Sequence, residues 1–202
     1  MENNNVKISG KIISDLKLSH EVYGEKFYKF YIKSERLSNQ EDILPVIISE
    51  RMLNLDELSK DKNVRINGQF RSYNKQGENG NKLVLSVFVK DIDFIQDEDS
   101  LTLNNANFIG YVCKNPIYRK TPLGREIADV LIAVNRTYKK SDYIPCILWG
   151  RNAKFCENVE VGTKVKINGR VQSRNYEKKI NETNIIKNTA YEVSVSKFAI
   201  FE

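Results

Sequence analysis

Two aromatic side chains of this chain, Tyr143 and Trp149, lie six residues apart in a run that predicts a β-strand. Side chains alternate between the two faces of a strand, so both rings fall on one face and Ile144, Cys146 and Leu148 on the other. The second set is typical of a hydrophobic core, which places the only tryptophan of the chain on the candidate ligand-facing side. The alternative is that Trp149 packs against a neighbouring helix or domain.

Basic side chains surround this strand in the sequence. Guanidinium groups bind phosphate bidentately and also stack on flat rings, so arginines are the favoured phosphate partners. The predicted phosphate contacts are Arg119, Arg125, Arg136, Lys139, Arg151, Arg170 and Arg174. For each of them individually, a solvated surface position is the alternative.

The net charge of +6 hides an asymmetry between the two halves of the chain. Residues 1–100, the first half, hold 15 Lys and Arg against 17 Asp and Glu, a balance of −2. Residues 101–202, the second half, hold 17 against 9, a balance of +8. Such an excess suits a polyanionic partner, because Lys and Arg release the counterions condensed on phosphates. A merely solubilising surface is the alternative.

The composition disfavours several classes of function. The single histidine, His20, disfavours paired-histidine metal sites and His-based triads, and no phosphate-cradling glycine loop occurs. We therefore expect no enzymatic activity, no cofactor and no metal. The three cysteines lack Cys-x-x-Cys spacing and are expected to be buried thiols in a reducing compartment. Without a long apolar run or a signal-peptide pattern, the chain is predicted to be cytoplasmic, with no membrane contact.

A repeat with a period near one hundred residues divides the chain. The run DILPVIISER at 42–51 returns as DYIPCILWGR at 142–151, and Gly10 and Arg36 return as Gly110 and Arg136. A period of this length is a whole domain. The predicted domains are residues 1–96 and 106–202, joined by a polar linker at 97–105. Asp42 and Asp142 recur just before predicted strands, so we expect them to be structural turn residues.

Each half contains five short runs rich in Val, Ile, Tyr and Phe, which predict β-strands separated by polar turns. In the first half these are Val6–Ile13, Lys26–Lys33, Ile43–Ser49, Asn63–Ser72 and Lys82–Phe94. In the second half they are Ala106–Cys113, Glu126–Val134, Tyr143–Trp149, Lys164–Ser173 and Ala190–Ile200.

One segment of each half breaks this pattern between the third and fourth strands, at residues 51–60 and 151–161. Its apolar residues recur at helical spacing and predict a short amphipathic helix. Five strands with a helix at this point are the layout of the OB-fold, a partly open barrel often used to bind oligonucleotides. The predicted fold is therefore all-β, with two tandem OB-folds, although the fold alone does not establish function.

From Asn107 to Phe201 the chain resembles the bacterial single-stranded DNA-binding protein family. The resemblance is carried by NFIGYVCKNPIYRKTPLGREIADVLIAVNR and DYIPCILWGRNAKFCENVEVGTKVKINGRVQSRNY, in the order found in the family. The first half resembles the family mainly through the second, with ISGKI, FYKFYIKSER, ILPVIISERM and VRINGQFRSY at corresponding points.

The resemblance implies sequence-independent binding of single-stranded DNA in replication, recombination or repair, with bases stacked on aromatic rings. The residues that match the family's stacking positions are Tyr138, Tyr143, Trp149 and Tyr176. RNA binding stays an alternative, since a sequence-tolerant groove need not reject the 2′-hydroxyl. Another alternative is an OB-fold module for protein interaction or an accessory replication role, with weak or no nucleic-acid binding.

Through the repeat, the four stacking positions fall in the first half on Ser38, Ile43, Ser49 and Lys75. Together with the acidic balance, this predicts a first domain that keeps the fold but has lost most of the binding surface. We expect it to serve in assembly or partner contacts, with a residual DNA edge at Arg71, Tyr73 and Lys75.

The resemblance also bears on assembly. Family members commonly assemble four OB domains, so two domains per chain predict a homodimer. They also commonly carry a flexible acidic tail that recruits repair enzymes. Here the last predicted strand runs directly into Phe201 and Glu202, which puts tail-mediated recruitment in doubt.

Overall fold

The computed structural model describes residues 2–52, 58–77, 80–96, 101–179 and 185–201. Within these residues almost all of the regular secondary structure is β-strand. The strands of the first half are β1 (Asn4–Ile12), β2 (Lys17–Val22), β3 (Glu25–Glu35), β4 (Glu41–Ser49), β5 (Asn63–Lys75) and β6 (Lys82–Phe94). Those of the second half are β7 (Asn104–Val112), β8 (Ile117–Lys120), β9 (Glu126–Asn135), β10 (Ser141–Trp149), β11 (Lys164–Lys179) and β12 (Ile185–Ile200).

Each half closes into a small barrel. In the first half the order β2-β3-β4-β6-β5-β1 is closed by the pairing of β1 with β3. In the second half the order β8-β9-β10-β12-β11-β7 is closed by the pairing of β7 with β9. The strands pair antiparallel except for β4 with β6 and β10 with β12, which are parallel. The all-β prediction with two OB-folds is confirmed.

The five strands predicted in each half are present with shifted ends, but the sequence does not predict β2 and β8. β2 is exposed along its whole length, and β8 has only four residues. Both lie at the outer edges of the sheet. A strand without a buried face carries no alternation of apolar and polar residues, so pattern reading cannot find it.

The segments predicted as helices follow β4 and β10. In the second half, helix α1 (Arg151–Cys156) covers only the first part of the predicted range and buries Ala153 and Cys156. In the first half a 3-10 turn occupies Glu50–Met52. Residues 53–57 of the predicted first helix lie outside the described residues.

The two barrels share one continuous sheet because β1 pairs antiparallel with β7. Val6 lies opposite Ala106, which is its equivalent through the repeat. Asn4 lies opposite Phe108, and their equivalents, Asn104 and Ile8, also lie opposite each other. An approximate two-fold axis therefore passes through the Val6–Ala106 pair. Strand β7 begins at Asn104, so it takes up the end of the segment predicted as a linker. Residues 97–100 of that segment lie outside the described residues.

Each barrel has a core of branched aliphatic residues around a few buried phenylalanines. Phe30 and Phe70 are fully buried in the first half, and Phe108 is almost fully buried in the second. Burying one such side chain contributes about 1.5–3 kcal/mol to folding. In the described part of the chain, no helix is both long and apolar enough to cross a membrane.

The repeated pair Gly10 and Gly110 has a packing reason. A Cβ on Gly10 would lie 2.6 Å from the carbonyl oxygen of Lys33, and one on Gly110 would lie 2.7 Å from that of Ala133. At these points β1 and β7 cross the strands that close their barrels. Glycine permits the close backbone approach that the closure needs.

Candidate nucleic-acid interface

A buried ion pair holds the two barrels together on one side of the β1–β7 joint. Asp142 is fully buried and accepts two hydrogen bonds from the Arg136 guanidinium, at 2.7 and 2.5 Å. It also accepts the backbone N–H of Ser72 in the first half at 2.6 Å. Arg136 donates to the Ser72 carbonyl at 3.0 Å, and the Ser72 hydroxyl accepts the N–H of Tyr143 at 2.7 Å. Every polar group of Ser72 is therefore bonded to the second half.

The same arrangement recurs across the two-fold axis. Asp42 is buried and accepts hydrogen bonds from Arg36 at 2.7 and 2.6 Å and from the N–H of Ser173 at 2.7 Å. The hydrogen bond to Asp42 raises the pKa of Arg36 above its ordinary value. The prediction that Asp42 and Asp142 are turn residues is wrong, because both lie inside strands and connect the halves.

Beside this joint lies a groove, called here the Trp149 groove, with side chains of both halves in its wall. Its lining includes Arg36, Glu41, Trp149, Gln172, Arg174 and Glu192. Trp149 is 37% exposed, and its indole N–H donates to the Ser194 hydroxyl at 3.1 Å. This bond holds one edge of the ring and leaves part of the indole open to a ligand. On the other face of β10, Ile144, Cys146 and Leu148 are buried, as the alternation predicts.

The cations of the Trp149 groove are largely neutralised by carboxylates. Arg174 pairs with Glu192 at 3.4 Å, and Gln172 donates to the same carboxylate at 2.8 Å. Arg36 is held by Asp42, and Glu41 lies at the rim. The groove therefore offers an aromatic surface with little net charge of its own.

The other three predicted stacking residues are exposed but lie outside this groove. Tyr138 is 93% exposed in the turn Thr137–Lys139, and Tyr143 is 41% exposed on β10. Tyr176 is 38% exposed on β11, with the Arg174 guanidinium carbon 5.9 Å from its ring centre. The rings are thus spread over a turn, a strand and a hairpin arm and are not gathered into one pocket.

The predicted phosphate contacts fall into three groups. Arg125, Lys139 and Arg151 are exposed and make no ion pair with any other described residue. Arg119 and Arg174 are exposed but paired, the first with Asp129 at 2.9 Å. The exposed Arg119–Asp129 pair exchanges readily for another anion, because such a pair is worth at most about 1 kcal/mol. The pair of Arg174 differs, because its partner Glu192 is buried.

The third group, Arg136 and Arg170, is half-buried. Arg136 is committed to Asp142 and Ser72 at the joint between the barrels. Arg170 donates to the Gln172 side chain at 3.2 Å. Burial, and next the charge of Arg36, lowers the pKa of Arg170 below its ordinary value.

A second groove occupies the symmetry-related place in the first half and is called here the Phe88 groove. It is lined by His20, Arg71, Tyr73, Lys75, Phe88 and Arg136, with smaller residues between them. Phe88 lies opposite Ile47 in the parallel β4–β6 pair, as Ser194 lies opposite Ile147 in the β10–β12 pair. Phe88 therefore takes the place of Ser194, and Ser49 takes the place of Trp149. The aromatic residue lies on β10 in the second half and on β6 in the first, and the serine lies on β12 in the second half and on β4 in the first.

Phe88 is absent from the predicted binding residues because its counterpart in the second half, Ser194, is not aromatic. Phe88 stands in the run LVLSVFVK, which is apolar at most positions on both faces of β6. Such a run hides the alternation that would mark Phe88 as outward-facing. The sequence does contain one indication that Phe88 faces outward, because it stands between Val87 and Val89, which are both buried.

The three cysteines are free thiols. Cys146 and Cys156 are buried, and Cys113 is half-buried. Burial raises the pKa of Cys156 to about 11 and also raises that of Cys146 above its ordinary value. Over the described ranges, no group of three or more His, Cys, Asp and Glu residues is placed to hold a metal ion.

Known proteins resemble this chain in sequence mainly over its second half. The single-strand binding protein family matches residues 103–201. Single-stranded DNA-binding protein B of Bacillus subtilis (strain 168) is 34% identical over 84 residues, which cover 37% of this chain and 72% of that protein. This chain belongs to the single-strand binding protein family. The matched residues include the whole of the second barrel, with Trp149 and Tyr176.

Other relatives within the single-strand binding protein family give similar values. Single-stranded DNA-binding protein A of Bacillus subtilis (strain 168) is 37% identical over 82 residues, which cover 37% of this chain and 48% of that protein. The chain spans about half the length of most of the curated relatives it matches. The single-stranded DNA-binding protein from Thermus aquaticus superposes with a TM-score of 0.77 at 16% identity, over 98% of this chain and 93% of that chain. Because the superposition covers almost the whole chain, the first half shares this fold as well.

Proposed function

We propose that this chain binds single-stranded DNA without sequence preference and acts in replication, recombination or repair. The observation that carries the proposal is Trp149, a partly exposed indole in a groove of an OB barrel that matches the single-strand binding protein family. A base stacked on such a ring contributes roughly 1–3 kcal/mol and tolerates any sequence, because every base has a π-face.

In this proposal the strand contacts the second half over a wide surface. Trp149 supplies the central platform, and Tyr138, Tyr143 and Tyr176 provide further rings on its flanks. Their spread over turn, strand and hairpin suits a strand that follows the barrel surface and does not enter a closed pocket.

Phosphate contacts come first from the exposed and unpaired cations Arg125, Lys139 and Arg151. Arg119 joins them by exchanging Asp129 for phosphate oxygens. Arg174 keeps its pair with the buried Glu192 and contacts phosphate through the N–H groups that Glu192 does not occupy. Arg136 and Arg170 are the least accessible of the predicted set, since both are half-buried beside the joint. The basic balance of the second half supplies a long-range attraction for the strand.

The first half, residues 1–96, is proposed to build the assembly. It contributes β1 to the joint and supplies Arg36 and Glu41 to the Trp149 groove. We further propose that two chains associate as a homodimer with four OB domains. Sedimentation equilibrium measures this directly, and a monomer at all concentrations would contradict it.

The test of the DNA-binding proposal is the intrinsic fluorescence of Trp149, titrated with a homopyrimidine oligonucleotide at low salt. Stacking is expected to quench the emission, and added salt is expected to restore it as the phosphate contacts weaken. A lack of quenching together with a lack of any salt-sensitive gel shift would favour a protein-interaction module. Equal quenching by the matching RNA would leave the chain unselective for the sugar.

A further inference from the structure

A row of flat side chains crosses the first barrel at the Phe88 groove. His20 on β2 stacks on Phe27 of β3, with ring centres 4.9 Å apart and planes 7° from parallel. Phe27 lies 5.7 Å from Phe88 on β6, and the Arg71 guanidinium carbon lies 3.6 Å from the centre of the Phe88 ring. The row crosses β4 because Ser49, opposite Phe27, is small enough to let the two rings approach. Three rings and one guanidinium thus form a continuous strip.

The guanidinium in this row has no carboxylate within ion-pair distance in the described part of the chain. Among the described residues, Arg71 donates only to the Gln69 side-chain oxygen, at 3.0 and 2.8 Å. Burial, and next the charge of Arg136, lowers the pKa of Arg71. The charge of Arg136 is partly balanced by its own partner Asp142, so the main cause is that Arg71 is desolvated without a carboxylate of its own. A desolvated cation is stabilised by an added anion, so this position favours a negatively charged ligand.

The more positive of the two grooves lies in the half of the chain whose overall charge is negative. Of the cations that line the Phe88 groove, Arg136 is paired with the buried Asp142, whereas Arg71 and Lys75 make no ion pair with any described residue, and no carboxylate is among the described lining residues. In the Trp149 groove Arg36 is paired in the same way with Asp42, and the other described charged residues of the lining are Arg174 and the carboxylates Glu41 and Glu192. Part of the difference is one exchange, because Ser86 faces Arg71 where Glu192 faces Gln172. The half with the acidic balance therefore contains the more positive groove.

We propose that the Phe88 groove is a second, separately constructed binding site for a single nucleic-acid strand. A base stacks on the strip formed by Arg71, Phe88 and Phe27, and its phosphate lies against Arg71 and Lys75. The inference deepens the proposed function, on which it rests for the class of ligand. It also widens the residual DNA edge expected at Arg71, Tyr73 and Lys75, since the aromatic residue of this half lies one strand along from the place of Trp149.

The combination of ring faces with the unpaired cations Arg71 and Lys75 selects this ligand over an acidic protein segment. An acidic peptide needs only the cations, whereas a nucleotide uses the cations for its phosphate and the rings for its base. Tyr73, 56% exposed at the same groove, offers one more face for a neighbouring base.

The test moves the only tryptophan of the chain into this groove. The full-length double variant Phe88→Trp with Trp149→Phe places the fluorophore at the proposed stacking site. Titration with oligo(dT) at low salt is expected to quench this emission and to shift its maximum, and salt is expected to reverse both changes. Adding Arg71→Gln, the residue found at the equivalent position in the second half, is expected to weaken binding by about fivefold to 100-fold at this site.

The outcomes separate this inference from the proposed function. An unquenched Phe88→Trp reporter, with normal quenching of Trp149 in the wild-type chain, overturns the inference and leaves the proposed function standing. The converse result supports the Phe88 groove and overturns the assignment of Trp149. Quenching of the reporter by poly-glutamate and not by oligo(dT) also overturns the inference, in favour of an acidic protein partner.

A second measurement does not depend on the reporter. In the wild-type background, Lys75→Gln is expected to lower the slope of log binding constant against log salt by about 0.7, the value for one phosphate contact to a single strand. Lys60→Gln removes the same charge from an exposed residue outside both grooves and is the matched control. Equal slopes for the two variants overturn the inference.

Discussion

Val6 and Ala106 lie directly opposite each other where β1 pairs with β7, and each is the counterpart of the other in the repeated sequence. The two halves are therefore arranged about an approximate two-fold axis, as two copies of one subunit would be. Because of this symmetry, every residue of one groove can be compared with a residue in the same place in the other.

The buried pair Arg136 and Asp142 is expected to matter more for stability than any exposed pair. Asp142→Ala leaves a half-buried guanidinium without its carboxylate and the Ser72 N–H without its acceptor. We expect a loss of about 3–5 kcal/mol in the free energy of unfolding, measured by chemical denaturation. Asp129→Ala, which breaks an exposed pair with Arg119, is the control and should cost less than about 1 kcal/mol.

Closure of the second barrel depends on the lack of a side chain at Gly110. Gly110→Ala places a methyl group against the Ala133 carbonyl and is expected to destabilise the fold by about 1–3 kcal/mol. Gly77→Ala is the matched change, because among the described residues its Cβ would meet only the Gly80 carbonyl, at 3.4 Å. Thermal denaturation of the two variants compares them, and equal melting temperatures would contradict the packing argument.

Trp149→Ala is expected to weaken binding of a homopyrimidine oligonucleotide by about fivefold to 100-fold, the equivalent of one lost stacking platform. Fluorescence anisotropy of a labelled oligonucleotide measures this without relying on tryptophan. Tyr111→Ala is the control, since Tyr111 is 39% exposed but lines neither groove. The same affinity loss in both variants would remove Trp149 from the interface.

Arg151 tests the phosphate contacts of the second half. Because Arg151 is exposed and unpaired among the described residues, Arg151→Gln is expected to lower the salt slope of binding by about 0.7 while leaving stability unchanged. Arg65→Gln removes an exposed charge from β5, away from both grooves, and should leave the slope as in the wild type.

The buried thiol of Cys156 predicts a loss of stability in alkali. Its pKa is raised by burial from 9.0 to about 11, so the unfolded chain releases this proton at a lower pH than the folded chain does. The contribution is fully present below pH 9 and is lost as the pH rises to about 11, at up to about 1.4 kcal/mol per pH unit. Chemical denaturation at pH 8 and pH 10.5 measures the loss. Cys156→Ala should show a shallower decline, and an unchanged decline would exclude this thiol as its source.

The strands with one buried face could be predicted from sequence, because Ile144, Cys146 and Leu148 alternate with outward-facing residues as the pattern requires. The joint between the barrels could not. Asp42 and Asp142 look like local turn residues in the sequence, and their role depends on partners more than a hundred residues away or in the opposite barrel. The Phe88 groove was predicted in part, since Arg71, Tyr73 and Lys75 follow one another on β5, whereas Phe27 and Phe88 come from strands that are distant in sequence and were not predicted as binding residues. A balance of −2 over the whole half does not describe the charge at one groove.

The presence of both barrels in one chain has a genetic consequence. In an assembly of identical one-barrel subunits, a codon change that replaces the central tryptophan would alter every groove at once. Here a single substitution alters only one of the two kinds of groove in each chain. The first half can therefore keep Ser49 and Phe88 where the second keeps Trp149 and Ser194, and each groove is free to acquire its own ligand preference.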